Sequence, residues 1–161
     1  MTATLGANDH ALASEMGEAI WFLGNLVTIK TAGEQCGEAL SVTEHLAPAG
    51  FGPPPHIHHM EDEVIYVLAG TIAGFVGEQS FRAGPGGYAF LPRGIPHGWR
   101  ADDDMPARML VITTPAGFER FVRESGEPAR ALTLPTSPIG EAELARMGAA
   151  AAKYGIEFLE P

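Results

Sequence analysis

Between Trp21 and Leu134 the chain alternates short runs of strand-forming residues with clusters of Gly, Pro and Asp. The runs are rich in Val, Ile, Thr and aromatic residues, as in EVIYVLAG, TIAGFVG, GYAFLP and RMLVITT, and stretches such as APAGFGPPP, FRAGPGG and ADDDMP separate them. Strands spaced by about 8 to 12 residues, with no helices between them, are typical of an antiparallel sandwich or barrel. The sequence therefore predicts an all-β fold for this part of the chain.

Two helices are predicted after this region. A helix from Thr114–Pro115 to about Gly126 is indicated because Phe118, Phe121 and Val122 share one helical face. A second helix is predicted between residues 137 and 155, where apolar residues recur at helical spacing. These residues are Leu144, Met147, Ala151 and Tyr154. Both helices are expected to cover the barrel or a subunit interface.

With 161 residues, of which 45% are hydrophobic and 19% charged, the chain has the length and composition of one globular domain. Residues 1–17 are small, polar and aperiodic, which predicts a flexible leader. Residues 18–115 are assigned to the β-barrel. Residues 116–161 are assigned to a C-terminal helical extension that packs on the barrel.

The charge and the cysteine content limit which binding partners and which cellular compartment are expected. Twenty acidic residues against ten basic ones give a formal net charge of -10, which disfavours nucleic acid and anionic membranes as partners. The single cysteine, Cys36, cannot form an internal disulfide, so a cytoplasmic location is predicted. The most apolar segment, AIWFLGNLVTI, is too short to span a bilayer, but it is a candidate pairing edge for a homodimer.

A group of histidines follows the proline-rich segment GFGPPP. His56 and His58 are two residues apart, so on a strand both side chains project from the same face. Two inward imidazoles without partners are costly to bury, and a metal ion would supply the partner. Glu63 shares a face with Ile65 and Val67 of the next predicted strand, where an inward carboxylate also requires a cation.

Another histidine, His97, follows a Pro and Gly turn in GGYAFLPRGIPHGWR. Together with the first three residues it gives three imidazole nitrogens and one carboxylate oxygen, with no thiolate, which suits one Fe(II), Mn(II), Ni(II), Co(II), Cu(II) or Zn(II) ion. An octahedral ion with four protein ligands keeps two positions for water, substrate or dioxygen. Its residual charge of about +1 would attract an anionic oxygen donor such as an enolate, phenolate or carboxylate.

Several neighbouring residues have competing interpretations. Glu61 competes with Glu63 as a ligand, but we assign Glu61 and Asp62 to a solvated turn. His59 should face away from the ligand pair as an exposed rim residue, and His45 is interpreted as structural. Tyr66 has the opposite parity to Glu63 and is expected to pack between layers. The alternative to metal binding is a network of satisfied hydrogen bonds.

The spacing of these residues resembles the first motif of the cupins. In that motif a Gly is followed by five residues, His-x-His, three or four residues, Glu, six residues and Gly. Gly50, His56, His58, Glu63 and Gly70 match it with the four-residue option. The resemblance implies a double-stranded β-helix barrel, also called a jelly roll, with short C-terminal helices.

The second cupin motif is matched in all but its last position. Gly86, Pro92, Gly94 and His97 have the required spacing, whereas the final Asn is replaced by Ala101. In cupins this Asn is not a ligand, so the replacement bears on the local turn. The resemblance implies that His97 completes the metal site with His56, His58 and Glu63.

From LVTIK to KYGIEFL the chain is similar to single-domain cupins of the quercetin 2,3-dioxygenase type. This implies a metal-dependent dioxygenase that oxidatively cleaves a flavonol or another aromatic or enolic hydroxy compound, with Glu63 as both ligand and catalytic base. Two other functions remain open: a redox-neutral cyclase or isomerase of secondary metabolism, and a small-molecule-binding cupin without turnover. The sequence leaves the identity of the metal undecided.

The shape of the substrate pocket is expected to depend on which of five apolar residues turn inward. Trp99 should share the face of His97, although core packing is an equal alternative. The other candidates are Met60, Ile65, Phe75 and Phe90.

Overall fold

A computed structural model of the chain describes residues 10–160, which contain twelve β-strands and two α-helices. The strands are β1 (Glu18–Phe22), β2 (Asn25–Thr31), β3 (Ser41–Ala47), β4 (His56–His58), β5 (Asp62–Ala69), β6 (Ile72–Val76), β7 (Gln79–Ala83), β8 (Tyr88–Leu91), β9 (His97–Ala101), β10 (Ala107–Thr114), β11 (Glu127–Pro128) and β12 (Ile156–Phe158). The helices are α1 (Phe118–Ser125) and α2 (Glu141–Lys153), and a short 3₁₀ turn spans Gly33–Gln35.

The strands form two antiparallel sheets that enclose one core. The first sheet has the order β11-β1-β2-β3-β10-β5-β8, and the second has the order β12-β4-β9-β6-β7. In β3 the side chains alternate between buried and half-buried, so one face of the strand points into the barrel. The predicted all-β barrel with short C-terminal helices is confirmed.

The segment AIWFLGNLVTI folds as a hairpin rather than as one strand. Leu23 and Gly24 have φ angles of 49° and 77°, and this left-handed pair makes the tight turn between β1 and β2. The outer edge of β1 pairs with β11 at Ile20 and Trp21, so part of the proposed dimer edge is used within the chain. The predicted homodimer stays a prediction.

Helix α1 carries the predicted face but begins later than expected. Thr114 is the last residue of β10, and the helix starts at Phe118 after Gly117. The expected start at Thr114–Pro115 is wrong because strand pairing extends through Thr114, which lies opposite Asp62 of β5. The helix ends at Ser125, before Gly126, as predicted.

Helix α1 is fixed by a carboxylate that sequence reasoning did not single out. Glu119 is fully buried, and its two oxygens accept hydrogen bonds from the backbone N–H groups of Gly33 (3.0 Å) and Gly117 (2.8 Å). The first bond joins the helix to the 3₁₀ turn after β2. Glu119 therefore sets where α1 lies on the barrel.

Helix α2 packs with only its second half. Met147, Ala150 and Ala151 are buried, and the ring of Tyr154 lies 6.0 Å from that of Phe121 in α1. Leu144 was predicted to lie on the same face. It is instead 47% exposed, and the buried residues of the helix all follow it.

The C-terminal segment contributes strands as well as helices. Both β11 and β12 lie at sheet edges, and β12 pairs with β4, so Ile156 lies opposite His58. The division into residues 1–17, 18–115 and 116–161 stays a prediction, and residues 1–9 of the proposed leader lie outside the described residues. No helix within residues 10–160 is both long and apolar enough to cross a membrane. The predicted cytoplasmic location is likewise untested.

Candidate metal centre

Four side chains from three strands converge inside the barrel. His56 and His58 lie on β4, His97 lies directly opposite His56 on β9, and Glu63 reaches in from β5 of the other sheet. One nitrogen or oxygen atom from each residue lies within 4.8 Å of the others, and all four side chains are buried. The two sheets therefore meet at this cluster.

Each histidine uses its Nδ1 atom in a hydrogen bond directed away from the cluster. His56 Nδ1 lies 2.8 Å from Pro54 O, and His97 Nδ1 lies 2.9 Å from Ile95 O. His58 Nδ1 lies 2.8 Å from a carboxylate oxygen of Glu61. Because carbonyl and carboxylate oxygens only accept, each Nδ1 carries the proton, and this leaves Nε2 available as a metal ligand.

The Nε2 side of the cluster fits a divalent cation. His97 Nε2 is buried and has no hydrogen-bond partner, and Glu63 Oε2 lies 3.7 Å from it and 3.2 Å from His58 Nε2. Two adjacent ligands that are each about 2.1 Å from a metal are separated by about 3 Å. Three nitrogen lone pairs and one carboxylate, without a thiolate, suit a divalent transition metal.

Glu61 is a partner of His58, which corrects its assignment to a solvated turn. It is buried and bonds to the Nδ1 side of His58, away from the Nε2 side that faces Glu63. Only Asp62 of this pair has the expected surface role, in an ion pair with Arg93 at 3.0 Å. The different roles of Glu61 and Asp62 could not be predicted, because the two carboxylates are adjacent in one acidic segment, MEDE.

Burial and neighbouring charges give the ligands different proton affinities. Burial lowers the pKa of His56 to about 4, although the charge of Glu63 opposes this. Burial also acts against protonated His58, but the hydrogen bond to Glu61 and the charge of Glu63 outweigh it and raise the pKa of His58. Burial would raise the pKa of Glu63, but the histidines outweigh it and hold that pKa at about 2.

A mainly apolar cavity of about 50 Å³ adjoins the cluster. His56, His58 and Glu63 lie in its wall. Six aromatic residues supply half of the remaining lining residues: Phe22, Phe51, Trp99, Phe118, Phe121 and Phe158. A cavity of this volume takes only a few water-sized groups.

Comparison with known proteins places this arrangement in a family. The sequence profile of the cupin domain matches residues 42–113, which run from β3 to β10 and include all four clustered residues. The chain is also 26% identical over 133 residues to quercetin 2,3-dioxygenase from Bacillus subtilis. That match covers 83% of this chain and 39% of the relative. Residues 42–113 of the chain form a cupin domain.

Solved structures agree with this assignment at the level of the fold. An RmlC-like cupin from Shewanella frigidimarina has a TM-score of 0.57 at 18% identity, covering 70% of this chain and 96% of its own. KdgF from Halomonas sp. has a TM-score of 0.54 at 17% identity, covering 74% of this chain and 99% of its own.

The cupin keeps its second-motif strand despite the missing Asn. Ala101 is buried at the end of β9, lies opposite Ile72, and donates its N–H to Phe51 O at 2.8 Å. The backbone pairing that holds His97 is therefore complete with Ala at this position.

Of the five residues predicted to form the substrate pocket, only Trp99 lines the cavity of this cupin. Met60 and Phe90 are 55% and 50% exposed, so neither faces the interior. Ile65 is fully buried core, and Phe75 lies opposite Gly98, outside the cavity wall. Strand alternation and sheet order decide which of these side chains reach the cavity.

The remaining histidine and tyrosine predictions had mixed outcomes. His59 is exposed, as predicted, and pairs with Glu157 at 2.7 Å. Tyr66 is exposed as well, so its expected packing between layers is wrong, because inward positions of β5 alternate with outward ones. His45 is buried and hydrogen-bonds Thr43, yet it also lines the cavity. The sequence offered no spacing that linked it to the ligands.

Proposed function

We propose that this cupin is a metal-dependent dioxygenase of the quercetinase type, acting on a flavonol or another aromatic or enolic hydroxy compound. The main support is the convergence of three imidazole nitrogens and one carboxylate in a cluster of which His56, His58 and Glu63 line an apolar, aromatic-lined cavity. The resemblance to the Bacillus subtilis quercetin 2,3-dioxygenase supports the choice of reaction, although this chain spans only 39% of that protein.

His56, His58, Glu63 and His97 would hold the metal, with their Nδ1 contacts fixing the three imidazole rings. A bound divalent metal supplies a Lewis acid that lowers the pKa of a coordinated hydroxyl group and an open position for dioxygen chemistry. The identity of this metal is left to experiment.

Glu63 is proposed as ligand and as base for the substrate hydroxyl. Its pKa of about 2 keeps it ionised at neutral pH, so it can accept a proton. A carboxylate with so low a pKa can remove a proton only from a hydroxyl group whose own pKa has been lowered. Glu63 would therefore act as a base only when the metal lowers the pKa of the substrate hydroxyl. The apolar cavity walls exclude water and strengthen these charge interactions.

Cavity size guides the choice of substrates to test. Binding sites for drug-sized molecules usually have volumes of about 300 to 1,000 Å³. With about 50 Å³ available, a flavonol enters only if the aromatic walls move, whereas a small phenol or enediol needs less rearrangement.

An oxygen-electrode assay tests the proposal directly. The protein is stripped of metal, reloaded separately with each candidate ion, and supplied with flavonols and with smaller phenols and enediols. Oxygen uptake is expected with at least one ion, and ¹⁸O₂ should label the cleaved product. Glu63→Gln should lose at least about a hundredfold in rate, since a base contributes that much, whereas Glu78→Gln on the exposed β6–β7 turn should not. No uptake with any substrate and metal would reject the proposal.

The small cavity also favours a second candidate, a redox-neutral cyclase or isomerase that acts by metal-assisted proton transfer on a small substrate. Turnover by the zinc-loaded protein without oxygen would support it. A strict oxygen requirement would exclude it, and any product formation would exclude a binding protein without turnover.

A further inference from the structure

Two polar side chains, Asn25 and His45, line the same cavity but are contributed by strands that carry no proposed metal ligand. His45 on β3 lies opposite Val27 of β2, and Asn25 precedes Val27 by two residues, so all three face the interior. Diagonal neighbours of this kind on adjacent strands are close enough to contact one ligand.

The ring of Phe118 separates this pair from the metal ligands. Its centroid lies 6.0 Å from the His45 ring and 5.8 Å from the His58 ring. The cavity therefore has one polar group at the ligand cluster and a second at Asn25 and His45, with aromatic wall between them.

Asn25 presents an oxygen that lacks a partner. Its Nδ2 atom donates to Phe22 O (3.3 Å) and Leu23 O (3.4 Å), both in the turn between β1 and β2. Only the NH₂ end of an amide can donate to carbonyls, so these contacts fix its orientation. Oδ1 is the remaining end, and it is buried with no hydrogen bond in the structure. A buried acceptor without a partner lowers stability unless a ligand or water supplies a donor.

His45 presents a second acceptor. Its Nε2 lies 3.0 Å from Thr43 Oγ1, which in turn donates to Val111 O at 3.2 Å. The hydroxyl of Thr43 has one proton, and assigning it to the bond with Val111 O makes His45 Nε2 the donor to Thr43. Nδ1 is then the unprotonated nitrogen, which can accept a hydrogen bond. Burial lowers the pKa of His45 to about 4, which keeps the ring neutral.

We propose that Asn25 and His45 form a second substrate-binding subsite that accepts a hydrogen bond from an uncharged hydroxyl group distant from the metal-binding oxygen. The inference rests on the proposed function only in assuming that the substrate occupies this cavity with an oxygen at the metal. An ammonium group fits poorly, because Glu63 is the only carboxylate among the described cavity residues and belongs to the ligand cluster.

The test measures binding to the zinc-loaded protein, which needs no oxygen and no turnover. Calorimetry compares benzoate, 4-methoxybenzoate and 4-hydroxybenzoate, and then the longer pair cinnamate and 4-hydroxycinnamate. In each series the carboxylate serves the metal and only one member donates a hydrogen bond at the far end. At least one hydroxyl-bearing ligand should bind about tenfold more tightly than its matched partner.

Variants then assign this preference to the subsite. Asn25→Leu and His45→Leu should each reduce the hydroxyl preference, and the double variant should abolish it while benzoate still binds. His10→Leu, which alters an exposed histidine, should leave the preference unchanged. Far-ultraviolet circular dichroism and zinc stoichiometry check that each variant folds and loads metal.

The comparison of ligands on the unmodified protein decides the matter even if a variant fails to fold. Equal affinity of the matched ligands in both series would mean that water serves the two acceptors, and the proposal would be overturned. It would also be overturned if no member bound, or if the preference survived in a folded double variant. A failed oxygen-uptake assay would reject the dioxygenase proposal without affecting this result.

Discussion

The three histidines differ in the acceptor that each Nδ1–H contacts. His56 and His97 use backbone carbonyls, whereas His58 uses the carboxylate of Glu61. In a site without metal, protonated His58 lies between the carboxylates of Glu61 and Glu63. A metal at Nε2 must displace that proton, so proton and metal compete at this one ring.

Metal affinity should therefore fall as the pH is lowered. The pKa of His58 is raised, whereas those of His56 and Glu63 are about 4 and 2, so these last two need no deprotonation near neutral pH. For each unit by which the pH falls below the pKa of His58, the logarithm of the zinc dissociation constant should rise by at least about one. Calorimetric titrations in buffers of different ionisation enthalpy would count the protons released.

Replacing Glu61 tests the origin of this effect. Glu61→Gln replaces the charged hydrogen-bond acceptor that raises the pKa of His58 with a neutral one, so the variant should release fewer protons at about pH 6.5. Glu157→Gln, which alters the partner of exposed His59, should release the same number as the unmodified protein. Equal proton release by the protein and Glu61→Gln would contradict this account.

At the scale of strands and turns, glycines of the two ligand motifs have unequal surroundings. Gly70 has a φ of 73°, and a Cβ atom there would lie 2.3 Å from Pro106 O. Gly94 has a φ of 77°, but no atom lies within 4 Å of the corresponding position. Both positions have left-handed backbone, which favours glycine. Only at Gly70 would a Cβ atom also collide with a neighbouring atom.

Alanine substitutions should separate these two causes. Gly94→Ala should lower the free energy of unfolding by about 1 kcal/mol, the usual cost of left-handed backbone with a side chain. Gly70→Ala should cost more, roughly 3 kcal/mol, since a backbone oxygen must also move. Urea denaturation measures both, and similar losses would show that the contact with Pro106 is readily relieved.

Helix α1 offers a further test, because it carries Phe118 of the cavity wall and is fixed by Glu119. Glu119→Gln keeps one acceptor but places an NH₂ group against a backbone N–H, so it should cost about 2 kcal/mol of unfolding free energy. Glu124→Gln in the same helix affects only exposed contacts with Lys153 and Tyr154 and should cost much less than Glu119→Gln. Equal losses measured by urea denaturation would refute the anchoring role.

For the whole molecule, the ligand cluster joins the two sheets. His56, His58 and His97 come from the second sheet, and Glu63 comes from the first. A metal held by all four would bind the folded chain far better than the unfolded one, in which these residues are separated. Metal binding should therefore stabilise the entire barrel.

Thermal unfolding measures this linkage. At a free metal concentration about one hundred times the dissociation constant, the gain should be about 2.7 kcal/mol, and a chelator should reverse it. His97→Ala should lose most of the gain, whereas His59→Ala, which alters an exposed histidine, should keep it. A metal-induced rise in melting temperature that is unchanged in His97→Ala would contradict four-residue binding.

The features that depend on local geometry could be predicted from the sequence alone. Period-two alternation put His56 and His58 on one face, and the spacing to Glu63 and His97 indicated the cluster that the fold brings together. Period 3.6 likewise identified the face of α1. Such patterns can be read from the sequence because the geometry of a strand or helix fixes which nearby residues share a face.

The features that depend on packing between distant segments became visible only in the folded chain. Glu61 and Asp62 are adjacent in sequence, but one contacts a ligand and the other an arginine at the surface. Asn25, His45 and Phe118 meet in one cavity only because β2 and β3 pair and α1 packs beside them. Side-chain burial and partners are set by which strands become neighbours and where a helix is anchored, and residue spacing carries no record of either.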